Sequence, residues 1–310
     1  MSAPVGKGDK KELPRIRDRI SFLYLEHCTI GRKDNAITST NADGVIEIPS
    51  ASLGVLMLGP GTRVTHRAME LLGDSGCCVE WVGEGGIKLY ACGQPLTHSS
   101  HFLMEQARLS SNIHTRLDVA RKMYELRFPG EDFTGMTMQQ LRGREGTRVK
   151  RAYREAALSN GMKWSGREYD STDFDASDAV NQSLSVANSC LYGIVDSVIH
   201  ALGCSPGLGF IHIGHDRSFV FDIADLYKVE MTIPLAFQVA ASHPDDISGC
   251  TRRRFRDQLV GKQFLARVVT DVTYLIMGKH VETDSDGNVL FLWDENLVAV
   301  ESGRMYGCDE

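Results

Sequence analysis

The repeat pattern of apolar residues changes once along this chain, close to Gly93, and that change constrains the fold more than any other feature. Before it, short runs of branched and aromatic residues are separated by Gly, Asp and Asn, which is typical of strands and turns. After it, apolar residues recur at spacings of three and four, which is typical of helices. We therefore expect an α+β fold, with a β-rich N-terminal domain over residues 1–95 and a mainly α-helical domain over residues 96–310.

Local signals place individual elements within the N-terminal part. The dipeptides Asp-Gly at 43–44 and Gly-Gly at 85–86 favour tight hairpins. The stretch THRAMELLGDSG predicts a helix that begins after Thr65, its N-cap, and ends at Gly73 or Gly76.

The second part is divided into helices by Gly and Pro. The predicted elements are one or two helices over 102–128, a helix over 137–161 bent at Gly143 or Gly146 and closed by Gly161, a helix over 178–203, further helices from 233 to 278, and a small terminal β-hairpin within 289–303.

Charge and cysteine content limit the classes of function. The net charge is −6, so any nucleic-acid binding has to come from local basic patches. The eight cysteines contain no C-x-x-C pair, which indicates free thiols in a reducing cytoplasm and disfavours zinc. The N-terminus lacks the apolar core of a signal peptide, and no stretch approaches the roughly 18 apolar residues of a membrane span. We expect a cytoplasmic protein without membrane contact.

The apolar stretch GFIHIGHDRSFVFDIADLYK, residues 209–228, carries one imidazole and two carboxylates that packing does not require. A hairpin of GFIHIG with SFVFDI would bring His212 towards Asp222, and Asp225 lies three residues further on. Individually, Asp222 could cap a helix and His212 could be a core histidine. Because two neighbouring carboxylates repel each other unless a cation or proton lies between them, the stretch favours a divalent-metal site.

A second stretch, LRGREGTRVKRAYR, reverses the charge of the chain locally. Its six basic residues surround a single acid, Glu145, and resemble a face that contacts phosphates. A solvated helix flank is the alternative. Glu145 between two glycines could complete a metal site, and the run RRRFR at 252–256 could extend the basic track.

These motifs together resemble one family. LRGREGTRVKRAY, VNQSLSVANSCLYG and GFIHIGHDRSFVFDIADLYK look like successive motifs of the CRISPR-associated integrase and endonuclease. GPGTRVTHRAMELL and VEWVGEGGIKLYACGQP are similar to its N-terminal β-domain, and KMYELRF is similar to its first long helices. That protein is the catalytic subunit of the spacer-acquisition complex, and the resemblance is to the type I-E-like branch that accompanies Cascade. It covers residues 14–278, in order.

The resemblance implies a set of site residues. The metal ligands would be Glu145, His212 and Asp225, with Asp222 as a further required acid and Mg²⁺ or Mn²⁺ as the ion. Tyr192 would position reactants, unless it only packs on an apolar helix face. The residues expected to contact DNA are Arg63, Lys88, Arg142, Arg148, Lys150 and His215.

The resemblance also implies a reaction and partners. A 3′-hydroxyl of double-stranded spacer DNA with 3′ overhangs would attack a phosphodiester at the border of the CRISPR repeat. The protein would form homodimers through its β-domain, with two dimers bridged by a small ferredoxin-like partner. A nuclease that cuts branched or single-stranded DNA without integration is the alternative, and a non-catalytic DNA-binding scaffold is a third hypothesis.

Several positions depart from the family pattern at residues that read DNA. His27 stands where a tyrosine stacks on the duplex end, and Phe221 stands where a phenol is frequent. Lysine is common at His215, and arginine at Glu70 and Lys88. We expect the chemistry to be retained, with a different preference for the motif that flanks the protospacer.

Overall fold

The structure, a computed structural model, describes residues 20–83, 89–93, 100–164, 166, 178–261, 264–278, 291–292 and 300–301. Within these residues a sheet-rich N-terminal region precedes a helical region, so the predicted α+β class is confirmed. The domain boundary expected near residue 95 lies outside the described residues. The N-terminal strands are β1 (Ile20–Leu25), β2 (Thr29–Lys33), β3 (Ala36–Asn41), β4 (Gly44–Pro49), β5 (Leu53–Leu58), β6 (Arg63–Val64), β7 (Cys78–Val82) and β8 (Leu89–Gly93).

These strands form two four-stranded sheets. The first has the order β1-β5-β7-β8, in which β1, β5 and β7 are parallel and β8 is antiparallel to β7. The second has the order β4-β3-β2-β6. The hairpin predicted at residues 43–44 is confirmed, because β3 and β4 pair antiparallel on either side of it and Gly44 has a φ of +139°. The turn predicted at 85–86 lies outside the described residues.

An α-helix, α1 (His66–Asp74), lies between β6 and β7. The predicted N-cap is confirmed, because the Thr65 hydroxyl accepts a hydrogen bond from the Ala68 N–H. The helix ends two residues before Gly76, whose φ of +65° is the left-handed conformation that terminates helices.

Most of the remaining chain is helical. An extended residue, Asn112, separates the segment predicted over 102–128 into two helices, and its side chain caps the second by accepting from the His114 N–H at 2.9 Å. The helices are α2 (His101–Ser111), α3 (Ile113–Arg127), α4 (Met138–Ser159), α5 (Ala179–Ala201), α6 (Ser218–Asp225), α7 (Thr232–Ala241), α8 (Ile247–Gly261) and α9 (Phe264–Met277).

Two sequence signals in this region have clear outcomes. Helix α4 continues through Gly143 and Gly146 without interruption and ends before Gly161, which has a φ of +66°. The terminal hairpin is confirmed, since β9 (Phe291–Leu292) pairs antiparallel with β10 (Val300–Glu301). None of the helices in the described part of the chain combines the length and the hydropathy that a bilayer crossing needs.

Helix α5 and strand β5 join the two regions. Every residue of β5 is buried: Val55 and Met57 belong to the main core around α5, whereas Leu56 and Leu58 belong to the N-terminal core around α1. This continuous burial explains why the β5 sequence is apolar throughout instead of alternating. Helix α5 is buried from Val180 to His200 at all but a few positions, so its polar side chains lie between the sheet and the other helices.

Replacing Leu184 of α5 with Ala should lower the free energy of unfolding by about 2–5 kcal/mol, because a fully buried leucine leaves a cavity between α4 and α7. Leu158→Ala is the matched control, since that leucine is 78% exposed, and it should change the free energy by less than about 0.5 kcal/mol. Urea denaturation measures both variants. Equal destabilisation by the two substitutions would contradict this description of the core.

Candidate active site

An irregular segment over residues 209–217 carries His212 and leads directly into α6, which carries Asp222 and Asp225. The predicted hairpin of GFIHIG with SFVFDI is therefore wrong, because residues 218–225 are helical. The contact that it was expected to produce is nevertheless present, since His212 Nδ1 lies 2.7 Å from Asp222 Oδ1. A turn of helix brings the carboxylate back to the segment just as a strand would have done.

Asp222 holds this segment in place. Its buried carboxylate accepts hydrogen bonds from the backbone N–H groups of Phe210 at 2.5 Å, Ile211 at 3.0 Å and His212 at 2.9 Å. A Cβ on Gly209 would lie 2.4 Å from the His212 carbonyl oxygen, so only glycine fits there. Asp222 therefore fixes the backbone under His212 and does not cap a following helix, which was one alternative.

The imidazole of His212 is 45% exposed, so it is not a core histidine. The hydrogen bond to Asp222 raises the pKa of His212, and the charge of Asp225 adds to this effect. An ionised carboxylate only accepts hydrogen bonds, so in the neutral imidazole Nδ1 carries the proton and Nε2 is left as the acceptor. This pattern is typical of histidines that bind metals.

Asp225, largely buried, is paired with a lysine of its own chain segment. Lys228 Nζ lies 2.6 Å from Asp225 Oδ1. Burial acts to raise the pKa of Asp225, but the charges of Lys228 and then Arg127 outweigh it and keep that pKa below its ordinary value. The carboxylate is thus held in its ionised form by two cations.

Glu145 reaches the same region from α4. One of its oxygens accepts a hydrogen bond from the Tyr124 hydroxyl at 2.6 Å, and the other forms an ion pair with Arg127 Nη1. Burial, followed by this hydrogen bond, raises the pKa of Tyr124, so the phenol stays a donor. The Arg127 side chain is itself only 7% exposed.

Arg127 is the group that Glu145 and Asp225 share. It pairs with Glu145, and its positive charge also acts on Asp225. The ligand atoms of Glu145, His212 and Asp225 do not all lie within 4.8 Å of one another. In this state, therefore, Arg127 and Lys228 neutralise the carboxylates, and a shared ion would require the three side chains to come closer together.

The donor set nevertheless fits a divalent ion. Two carboxylates and one neutral imidazole nitrogen are ligands that Mg²⁺ and Mn²⁺ accept. Asp225 Oδ1 is buried and, among the described residues, has an ion pair with Lys228 but no aligned hydrogen bond. A divalent ion at that oxygen would take the place of the Lys228 ammonium.

Tyr192 of α5 lies beside this group. Its ring packs edge-on against Phe221 at 5.2 Å, and Lys228 Nζ lies 4.8 Å from the ring centroid. Phe221 also contacts the rings of His212 and His215, at 6.1 and 5.0 Å. The aromatic residues therefore form the wall that separates the histidines from α5.

The residues predicted to contact DNA are not in equivalent environments. On α4, Arg142 and Lys150 are exposed, whereas Arg148 forms an ion pair with Glu131 and lies over the Phe128 ring at 4.9 Å.

Away from α4, Arg63 is exposed on β6, and His215 is exposed with Nδ1 2.7 Å from Asp216 Oδ1. Among the family departures, His27 is exposed at the turn after β1 with a φ of +49°. Lys88 lies outside the described residues.

Three residues that hold the carboxylates were missed by the sequence analysis: Tyr124, Arg127 and Lys228. Tyr124 and Arg127 lie three apart in KMYELRF, which places them on one face of a helix. Lys228 follows Asp225 by three residues. These spacings are visible in the sequence. Only the packing of α3 against α4 shows that Arg127 pairs with Glu145.

Comparisons with known proteins agree on one family. The family model described as "CRISPR associated protein Cas1" matches residues 22–129 and 132–246. A protein of Clostridium sp. (strain SY8519), named CRISPR-associated endonuclease Cas1, is 47% identical over 296 residues, covering 95% of this chain and 98% of the relative.

Two solved structures are also similar to this chain. The crystal structure of TtCas1 has a TM-score of 0.77 at 38% identity and covers 84% of this chain and 100% of its own. The TtCas1–DNA complex has a TM-score of 0.65 at 42% identity and covers 86% of this chain and 100% of its own.

Substitution of Asp222 by Asn should release the 209–212 backbone, because the amide keeps one acceptor oxygen, whereas the two carboxylate oxygens accept from three backbone N–H groups and from His212 Nδ1. Loss of hydrogen bonds to a buried charge costs about 1.5–3 kcal/mol each. Hydrogen exchange should therefore accelerate by about tenfold or more at the amides of Phe210, Ile211 and His212. Asp216→Asn, at a side chain that is 85% exposed, should leave those amides unchanged. Unchanged exchange in the Asp222 variant would contradict the role assigned to it.

Proposed function

The chain belongs to the Cas1 family of CRISPR-associated proteins, and we propose that it is a divalent-metal-dependent DNA endonuclease and integrase that inserts new spacers into a CRISPR array. One observation carries this proposal: Glu145 of α4 pairs with Arg127, the charge of Arg127 also acts on Asp225 of α6, and the charge of Asp225 acts on His212. The DNA complex of TtCas1, 42% identical to this chain, supports DNA as the substrate.

Glu145, His212 and Asp225 would hold Mg²⁺ or Mn²⁺, which would supply charge stabilisation and orientation for phosphoryl transfer. Two carboxylates and one neutral imidazole balance a divalent charge, so a DNA phosphate is not repelled. Asp222 keeps the Nδ1 proton of His212 and thereby presents Nε2. When no ion is bound, Arg127 and Lys228 prevent mutual repulsion of the acids.

The reaction is a direct transesterification. The 3′-oxygen of the incoming DNA strand forms a bond to a phosphorus at the repeat border, and the bond from that phosphorus to the 3′-oxygen of the repeat strand breaks. The proton leaves the attacking hydroxyl and a proton is gained by the new 3′-hydroxyl. Since both oxygens are supplied by DNA, the protein needs no nucleophile of its own. Tyr192 would act as a positioning residue next to Lys228.

The proposed partners follow from the family. They are double-stranded DNA with 3′ overhangs, the CRISPR repeat, a second copy of the chain, and a small ferredoxin-like protein that bridges two dimers, as in the type I-E-like branch. Val45 and Ile46 on the edge strand β4 are 62% and 64% exposed, and these apolar side chains support a contact of the β-domain with a second copy.

Incubation with a duplex that carries 3′-hydroxyl overhangs and a supercoiled plasmid that carries the repeat should yield covalent joining in Mg²⁺ or Mn²⁺. Glu145→Ala, His212→Ala and Asp225→Ala should each reduce joining by about 10² or more, because each removes a ligand, while DNA binding survives. Glu155→Gln is the control: Glu155 lies on the exposed face of α4, the helix that carries Glu145, and this variant should retain full joining activity.

Two results would contradict the proposal. Nicks without joining would support the alternative, a nuclease that uses water in place of the 3′-hydroxyl. Parallel loss of binding and joining in the three variants would mean that these residues are structural and that the ligand assignment is wrong.

Arg142→Gln should weaken DNA binding, because this exposed arginine of α4 lies near the Glu145 pair, where its charge acts on Tyr124. If Arg142 contacts one phosphate, the slope of log K against log salt concentration should fall by about one. Arg108→Gln is the control, since Arg108 is already neutralised by two hydrogen bonds to Glu105. An unchanged slope for Arg142→Gln, measured by fluorescence anisotropy across a salt series, would count against this contact.

A further inference from the structure

A second cluster of ligating side chains lies apart from the site described above, between the first sheet and α5. Cys78 and Glu80 project from one face of β7, and Cys92 is the residue of β8 paired with Glu80. Asp196 and His200 lie one turn apart on α5. We call these five residues the sheet–helix cluster.

The ligand atoms of this cluster are close to one another. Those of Cys78, Glu80 and Cys92 lie within 4.8 Å of each other, and so do those of Cys92, Asp196 and His200. Cys92 therefore belongs to both groups and connects the strands to the helix.

We propose that the sheet–helix cluster binds one zinc ion through Cys78, Cys92, His200 and Glu80, with Asp196 orienting the imidazole. Two thiolates, an imidazole and a carboxylate are a ligand set that favours tetrahedral Zn²⁺ over Mg²⁺ or Mn²⁺. The ion would join the N-terminal sheet to the helical region.

The two sulfur atoms of the cluster already have the separation of tetrahedral ligands, whereas His200 is grouped with Cys92 and would have to approach Cys78 and Glu80 on binding the ion. Metal–ligand bonds of about 2.0–2.3 Å place tetrahedral ligand atoms about 3.3–3.8 Å apart. Cys78 Sγ and Cys92 Sγ are 3.5 Å apart, and both thiols are free. His200 Nε2 lies 3.3 Å from Asp196 Oδ1, which is the carboxylate–histidine contact that orients zinc ligands.

A buried carboxylate without a partner points independently to a ligand. Glu80 is 1% exposed, and its Oε1 has no hydrogen-bond partner among the described residues. Its carboxyl group is pressed against α5, because a Cβ on Gly193 would lie 2.6 Å from Glu80 Oε2. A buried carboxyl oxygen in this position costs free energy unless a cation or a donor satisfies it.

The charges around the cluster and its opening to solvent are also consistent with a zinc site. Arg217 Nη2 lies 3.9 Å from Asp196 Oδ2 and balances that acid, so the four ligands are left to the ion. Cys92 is only partly buried, which gives an ion a path into the cluster. The spacing of the cysteines in sequence disfavours zinc, but pairing of β7 with β8 brings together two thiols that are 14 residues apart.

The test is the metal content of the full chain, purified with a thiol reductant and without chelators. Elemental analysis should find about one zinc per chain, and replacement by Co²⁺ should produce thiolate-to-cobalt charge transfer and tetrahedral visible bands. Glu145→Ala should retain both signals, because oxygen ligands for Mg²⁺ or Mn²⁺ do not generate them.

Variants then identify the ligands. The double variant Cys78→Ser, Cys92→Ser should lose zinc by tenfold or more, Glu80→Gln should lower the affinity, and Asp196→Asn should lower it about 10–100-fold. Cys250→Ser is the control, a partly exposed free cysteine outside the cluster, and it should retain zinc.

Three results would overturn the proposal. In the first, the wild-type protein contains no zinc and gives no thiolate-to-cobalt band with Co²⁺. In the second, mass spectra show that both thiols are used in a Cys78–Cys92 disulfide. In the third, Glu80→Gln leaves the affinity for zinc unchanged. The cobalt spectrum is measured on unmodified protein, so a variant that fails to fold does not leave the question open.

Discussion

The burial of α5 is the constraint on which the rest of this structure depends. The helix lies against β5 and β7 on one side and against α6 to α9 on the others. Because almost every position is buried, a polar residue on it costs free energy unless a specific partner satisfies it, and several of its polar residues have such partners. Ser183 bonds Thr251, Tyr192 lies against Phe221 and Lys228, and Asp196 pairs with His200. One helix thus positions Tyr192 beside the candidate active site and two of the five residues of the sheet–helix cluster.

Both sites contain buried carboxylates, but different groups balance the charges of those carboxylates. Around Arg127, Glu145 and Asp225 are neutralised by guanidinium and ammonium groups that the chain itself supplies. In the sheet–helix cluster, Arg217 balances Asp196, while Glu80 has an oxygen without a partner among the described residues. The first arrangement keeps the acids ionised, which the proposed divalent ion would require of its ligands. The second presents soft donors next to an unsatisfied oxygen. Arg217 and Tyr192 connect the two, since the guanidinium lies 5.8 Å from that ring.

Much of the fold was predictable because its signals are local. Thr65 as N-cap, the turn at 43–44 and the end of α4 before Gly161 each depend on a few adjacent residues. The segment over 209–228 shows where such reasoning fails. Alternating residues in SFVFDI favoured a strand, yet the segment folds as α6, since burial of Phe219, Val220 and Ile223 against α5 overrides propensity. The His212–Asp222 contact was still anticipated, because the two residues are close in sequence.

The sequence by itself determined the order of strands and helices, the family to which the chain belongs, and the acids and histidine worth testing. Only the tertiary structure decided that Arg127 pairs with Glu145 while its charge acts on Asp225, and that Cys78 and Cys92 lie close together, with Cys92 close to His200. The reason is physical. Helices and turns are specified by interactions within a few residues, whereas contacts between distant residues depend on strand register and on how buried faces pack together. Neither of those can be read from spacing along the chain.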